Sequence, residues 1–212
     1  MTEYVFFDLD GTLTESTEGI CNAAQYALHK FGIEENDRTR LESYIGPPLN
    51  DSFAGYGLDP EEVKRAVGYF REYYNRQGKF ENRVYDGIPE VLSALKAKRK
   101  KLVVATSKPE HFANEILEHF GIRQYFDFVA GATVDEKRTH KAEVIEYALQ
   151  ELKIADPGTV LMVGDRKYDV LGAHEKGIAC LGVLYGYGSR EELEDVKADR
   201  IAENVGDILN RV

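Results

Sequence analysis

FFDLDGTL, residues 6–13, decides how this chain is read. Two phenylalanines following Tyr4 and Val5 run straight into Asp8, Leu9, Asp10, Gly11 and Thr12. Two carboxylates therefore stand two residues apart at the mouth of what reads as a buried strand. Isolated charges placed there repel each other and lose solvation. The rest of the chain must supply whatever makes that arrangement worth having.

Composition narrows the field. The 212 residues are enough for one or two domains with a sizeable core. With 27 basic against 37 acidic residues the formal charge is −10, which argues against the basic face of a nucleic-acid binder. Small anionic substrates remain open, because a bound cation reverses the local sign. Cys21 and Cys180 have no CxxC partner and read as reduced, buried thiols, which suits the cytosol. The opening MTEYVFFDLD lacks a basic segment followed by a long apolar one, so no signal peptide is expected. No apolar run approaches the roughly 20 residues that span a bilayer. The expectation is a soluble, cytoplasmic protein with neither membrane nor nucleic-acid partner; composition leaves its oligomeric state open.

Short apolar runs recur outward from residue 6: YVFF (4–7), KLVVATS (101–107), FDFVAGA (126–132), TVLMVGD (159–165) and IACLGVLYG (178–186). Each is rich in β-branched or aromatic residues and ends near Gly, Ser, Thr or Asp, as fully buried parallel strands do. Helical patterns lie between them at 89–99, 111–121 and 140–152. The alternation predicts an α/β doubly wound, Rossmann-like parallel sheet, whose active sites lie at the carboxyl ends of the strands. Residues 15–84 break the alternation with helical periodicity and no convincing strand. They predict an inserted helical domain, with residues 1–14 and 85–212 forming the α/β core. Gly32 and Gly78 read as helix stops, and Pro60 as a helix start.

Strand ends and helix starts then supply one set of groups. Asp8, Asp10 and Gly11 follow the first strand. Thr106 and Ser107 follow KLVVA, with a helix expected from Lys108 and Pro109. Lys141 opens a helix, and Gly164, Asp165 and Asp169 follow TVLMV. Carboxylates that converge need a cation among them, and an all-oxygen set points to Mg²⁺. Mg²⁺ takes phosphate oxygens readily, while a hydroxyl, helix-start N–H groups and a lysine complete an anion cradle. One carboxylate in line with phosphorus can act as a nucleophile, and a second two residues on can serve as acid and base. Asp169 also reads as a helix cap or ion-pair partner. His29, His111, His119, His140 and His174 show no ligand spacing, and EELED (191–195) reads as a solvated helix face.

This constellation resembles the haloacid dehalogenase superfamily of phosphotransferases across the whole chain. FFDLDGTLTES matches its first motif, VVATSKP the second, Lys141 the third and GDRKYDV the fourth, and the 15–84 insert resembles its helical cap. The resemblance implies Asp8 as nucleophile and Asp10 as general acid and base. It implies Mg²⁺ held by Asp8, the Asp10 backbone carbonyl and Asp165, with Asp169 nearby. Thr106 and Lys141 would bind the transferred phosphoryl group, with Gly11 and Ser107 in the substrate-binding set. A small phosphorylated metabolite is the implied partner, and cap hinges are expected near Thr14–Thr17 and Val84–Ile88.

Rival readings separate on particular residues. A phosphoacceptor receiver domain uses similar groups, but has no need of Asp10 or of a 70-residue helical insert. A dehalogenase would leave Asp10 without a leaving group to protonate. A phosphosugar mutase needs a cap cation, and the cap turn YIGPPLND (44–51) has no Lys or Arg. The same lack disfavours phosphoglycolate, as does Ala142–Glu143 after Lys141, where phosphoglycolate phosphatases commonly show a KPxP stretch. Arg71, Arg76 or Arg83 remain as other sources of a cap cation. Tyr69 and Tyr73 share one helix face, Phe70 and Tyr74 another. One face is expected on the cap core, and the other either packs as well or offers a ring to a nucleobase. The expected substrate is thus a nucleoside 5′-monophosphate, with phosphoglycolate as the alternative.

Overall fold

A computed structural model describes residues 2–133 and 137–212. The chain divides into two compact units, Met1–Glu15 with Val84–Val212, and Ser16–Arg83.

In the larger unit, β1 (Tyr4–Phe7) leads to the two-residue β2 (Thr14–Glu15). The chain re-enters this unit through β3 (Arg83–Val84), which pairs with β2. The ribbon is too short to carry a strand pattern, which is why periodicity shows only helix there. Strands and helices then alternate: α5 (Ile88–Ala97), β4 (Lys101–Pro109), α6 (Glu110–His119), β5 (Phe128–Ala132) and α7 (Lys141–Glu151). They continue with β6 (Val160–Gly164), α8 (Lys167–Glu175), β7 (Ala179–Val183), α9 (Arg190–Asp195), β8 (Arg200–Ala202) and α10 (Ile208–Arg211). Among the described residues the main sheet has the order β5-β4-β1-β6-β7-β8, and every pairing in it is parallel. The first strand is therefore central, with Phe7 level with Val104 on one side and Val163 on the other.

Alternate residues of these strands enter opposite cores, as the two-residue strand period requires. Val5, Phe7, Leu102, Val104, Leu161 and Val163 pack with α5, α6 and α10. Phe6, Val103, Ala105, Val160 and Met162 pack with α7, α8 and Leu193 of α9. Burial on both faces explains the unbroken apolar runs. Two boundaries differ from the sequence pattern. β4 runs on to Pro109, so that α6 starts at Glu110. β5 starts at Phe128 because Asp127 turns its carboxylate onto Leu102 N at 2.9 Å. Both Cys21 and Cys180 are buried free thiols.

The smaller unit consists of α1 (Thr17–His29), α2 (Arg38–Glu42), α3 (Leu49–Ala54) and α4 (Pro60–Arg76). Asp59 caps α4 through Glu62 N at 2.8 Å, and Glu62 returns the bond to Asp59 N at 3.1 Å, a reciprocal box with Pro60 at the first helical position. Both aromatic faces of α4 are engaged within this unit. Phe70 stacks on Tyr74 at 5.6 Å and meets Phe53 edge-on. Tyr69 meets Phe31, Tyr73 lies 5.4 Å from Tyr26, and the Tyr73 hydroxyl bonds Glu81. The second face, half-buried, thus turns its rings toward α1 and its exit turn. No helix among the described residues is long and apolar enough to cross a membrane.

Candidate active site

Three neighbouring strands of the larger unit deliver the site. Asp8 and Asp10 follow β1, Thr106 to Lys108 close β4, and Asp165 follows β6; Lys141 opens α7 and Asp169 lies in the first turn of α8. The order turns back at β1, with β4 on one side and β6 on the other, and this is where doubly wound sheets open a crevice.

Asp8 is oriented by its own turn: Oδ1 accepts from Leu9 N at 2.7 Å. The same oxygen lies 2.8 Å from Lys141 Nζ, which also lies 2.8 Å from Asp169 Oδ1 and donates to Ala105 O at 3.0 Å. The lysine ammonium thus faces an oxygen on each of three elements from a side chain only 4% exposed. Asp169 both caps and pairs. Its Oδ2 accepts from Arg166 N at 3.1 Å, which fixes the carboxylate to the start of α8. Its buried Oδ1 meets Lys141 outside hydrogen-bond directions and has no hydrogen-bond partner among the described residues.

Asp165 is fully buried. Its Oδ1 accepts from Thr12 Oγ1 at 3.1 Å and its Oδ2 from Tyr187 N at 2.8 Å. Asp8, Asp165 and Asp169 each bring a carboxylate oxygen to within 4.8 Å of the others. Electrostatics records the strain of that grouping. Burial pushes the Asp8 carboxyl up to about 6, against the attraction of Lys141 and with the help of Asp169 and Asp10. Burial and the Asp169 and Asp8 charges hold Asp165 well above the usual carboxylate range. Burial works against the charge of Lys141, but Asp169 and Asp8 overcome it and hold the ammonium above its ordinary value. Three buried or half-buried carboxylates that repel one another and bring oxygens within 4.8 Å are a hard donor set that fits a small divalent cation.

The buried Thr106 hydroxyl accepts from Lys108 N at 3.2 Å and so keeps its own proton as a donor. Ser107 is half-buried at the end of the same strand. Gly11 stands against Asp165: φ is +83°, and Tyr187 Cδ2 also lies within 2.6 Å of where a Cβ would be. Sequence reasoning missed Thr12, Tyr187 and Lys108. The first two reach Asp165 through tertiary folding alone. Lys108 Nζ lies 2.8 Å from Asp10 Oδ1, a pairing that proximity to Thr106 could have suggested. EELED is more than a solvated face, since Glu192 accepts from both Arg166 Nε and Lys167 N at the head of α8.

A doubly wound sheet that gathers these carboxylates, a buried lysine and a hydroxyl at the carboxyl ends of its central strands is the arrangement of an α/β protein handling phosphoryl groups. Residues 5–183 match the family described as haloacid dehalogenase-like hydrolase, and the chain belongs to it. A 5′-nucleotidase of Pseudomonas aeruginosa is 48% identical over 190 residues, 89% of this chain and 86% of that protein. The tyrosine-protein kinase PtkA of Mycobacterium tuberculosis is 38% identical over 91% of this chain, which spans only 65% of PtkA. A phosphoglycolate phosphatase of Vibrio parahaemolyticus is 30% identical, over 98% of this chain and 95% of its own. The crystal structure of a predicted phosphatase from Clostridium acetobutylicum superposes with a TM-score of 0.96 at 45% identity, covering 100% of this chain and 98% of that one. The protein is a haloacid dehalogenase-like phosphatase.

Proposed function

We propose that this phosphatase is a Mg²⁺-dependent phosphomonoesterase that works through phospho-Asp8 and acts on nucleoside 5′-monophosphates. The observation that carries the reading is the triad of Asp8, Asp165 and Asp169, with oxygens within 4.8 Å and Lys141 bridging two of them. Asp8, Asp165 and the Asp10 backbone carbonyl would hold Mg²⁺, with Asp169 beside them directly or through water. When bound, the ion offsets carboxylate repulsion and neutralises charge on phosphoryl oxygens.

A carboxylate oxygen of Asp8 attacks phosphorus and the bond to the ester oxygen breaks. Protonated Asp10 gives its proton to that departing oxygen. Asp10, now ionised, takes a proton from water as the water oxygen attacks phospho-Asp8, which releases inorganic phosphate and restores Asp8. Thr106 donates to a phosphoryl oxygen, and Lys141 sets its charge beside the same group. Gly11 and Ser107 complete the substrate-binding set, and residues 15–84 act as the cap that sets substrate choice.

Two observations favour a nucleotide. The YIGPPLND turn carries no cation for the carboxylate of phosphoglycolate, and the 48%-identical relative is a 5′-nucleotidase. Aromatic stacking by α4 is not among the supports, since the rings of both faces are already engaged with Phe31, Tyr26, Phe53 and one another. The test of mechanism is phosphate release from p-nitrophenyl phosphate, expected to vanish after exhaustive EDTA treatment and return with Mg²⁺; turnover that survives EDTA overturns it. The test of substrate is kcat/KM for a 5′-nucleotide panel against phosphoglycolate at matched Mg²⁺. A preference for phosphoglycolate of about tenfold, worth about 1.4 kcal/mol, overturns the nucleotide assignment.

A further inference from the structure

Asp10 sits in the turn after β1, where a carboxylate on two rotatable bonds has several rotamers open to it. The Lys108 ammonium holds it. Asp10 Oδ1 lies 2.8 Å from Lys108 Nζ, and the two side chains are 14% and 6% exposed. The lysine comes from the end of β4, inside the register shift between Ala105 and Pro109 in its pairing with β5. Irregularities of this kind re-aim side chains beside active sites. Lys108 also anchors Thr106 through its backbone N–H, so one residue holds two groups with different tasks. The reaction as set out above uses Lys108 nowhere.

We propose that Lys108 is a positioning residue for Asp10. Its ammonium ties down Oδ1 and holds a single rotamer, so that the other oxygen exchanges the proton with the ester oxygen and then with water. Placing a proton donor in near-attack geometry is a large part of what such a group contributes. Lys108 keeps its own protons throughout, and the transferred proton travels only between Asp10, the leaving oxygen and water. The inference rests on the reading of Asp10 as general acid and base.

The experiment compares two esters of similar shape, p-nitrophenyl phosphate and phenyl phosphate. The nitrophenolate departs without help, whereas phenol, with a pKa of about 10, gains from a proton as it leaves. The quantity is kcat/KM, which covers steps up to departure of the phenol. Asp10→Asn is expected to lose more on phenyl phosphate than on the nitro ester. Lys108→Met, close in length but uncharged, is expected to reproduce that pattern with an extra loss of about tenfold on phenyl phosphate, within the range of acid catalysis. Lys108→Arg should recover most of it, and Lys108→Met should cost little once Asp10 is Asn. Equal losses of Lys108→Met on both esters, or a loss adding in full to that of Asp10→Asn, overturn the positioning role while leaving Asp10 in place. If Asp10→Asn itself shows no dependence on the leaving group, the acid–base reading falls and takes this inference with it.

Discussion

A Cβ on Gly11 would stand 2.3 Å from Asp165 Oδ2, closer than any real side chain approaches a carboxylate. The glycine also holds φ at +83°. An alanine there meets backbone strain of about 1–2 kcal/mol and an overpacked neighbour worth about 1–3 kcal/mol. Gly11→Ala is therefore expected to lower the melting temperature and to weaken Mg²⁺ binding together, because the group it displaces is a proposed metal ligand. Thermal denaturation and calorimetric Mg²⁺ titration of the variant check this; loss of stability with unchanged Mg²⁺ affinity counts against Asp165 as ligand.

The raised pKa of Asp8 makes a prediction about the EDTA-treated protein. Its folded value of about 6 exceeds the ordinary 3.8, so between those limits the native state binds more protons than the unfolded one. The contribution of Asp8 to stability is fully present below about 4 and is lost as pH rises through about 6. Asp8→Asn is expected to raise the melting temperature at pH 7 and to show little gain near pH 4, since Lys141 retains Asp169 as a partner. The same variant should have no phosphatase activity. A lower melting temperature for Asp8→Asn at pH 7 means that the buried Asp8 charge carries no net cost, against its raised pKa.

Mg²⁺ should raise the melting temperature of the wild type as well. A ligand bound only by the native state adds about 2.7 kcal/mol when present at about 100 times its Kd. For a chain of this length that is a rise of several degrees, about 2–4 °C per kcal/mol. In Asp165→Asn the rise should largely disappear. Differential scanning fluorimetry over a Mg²⁺ series reads both proteins; an undiminished shift in Asp165→Asn excludes Asp165 from the ion's shell.

Thr106→Val keeps the shape of a buried residue and removes its hydroxyl. Two bonds go with it, the proposed one to a phosphoryl oxygen and the one accepted from Lys108 N. The loss of one charge-stabilising donor costs roughly 10²- to 10³-fold in turnover. Steady-state kinetics on p-nitrophenyl phosphate should show the fall mainly in kcat. A variant with near wild-type kcat would leave Thr106 with only the bond it accepts from Lys108 N.

Much of the core was readable because its strands are buried on both faces and show as solid apolar runs, and because Asp8, Thr106 and Asp165 stand at their ends. What escaped lacked such a pattern. β8 is three residues, RIA, with an exposed arginine at the sheet's edge. α2 and α3 are five and six residues long within a polar stretch, too short for helical periodicity to emerge. Thr12 and Tyr187 meet Asp165 across 153 and 22 residues of chain, a relation that only folding creates. Lys108 was hidden for a different reason. A regular reading ends the strand at Ser107 and starts a helix, whereas the irregular close of β4 keeps residues 106–109 extended and turns the lysine toward Asp10.

The central place of β1 has a consequence for how the enzyme ages and fails. Val5 to Phe7 are hydrogen-bonded to strands on both sides and covered on both faces, so the backbone beneath Asp8 opens to solvent only when the whole α/β unit does. Amide exchange there should track global unfolding, while the short β8 edge exchanges earlier. Catalytic geometry at Asp8 then has no separate lifetime of its own. Heat or denaturant should extinguish activity in step with the fold, without a preceding phase in which the protein is intact and the proposed nucleophile is loose.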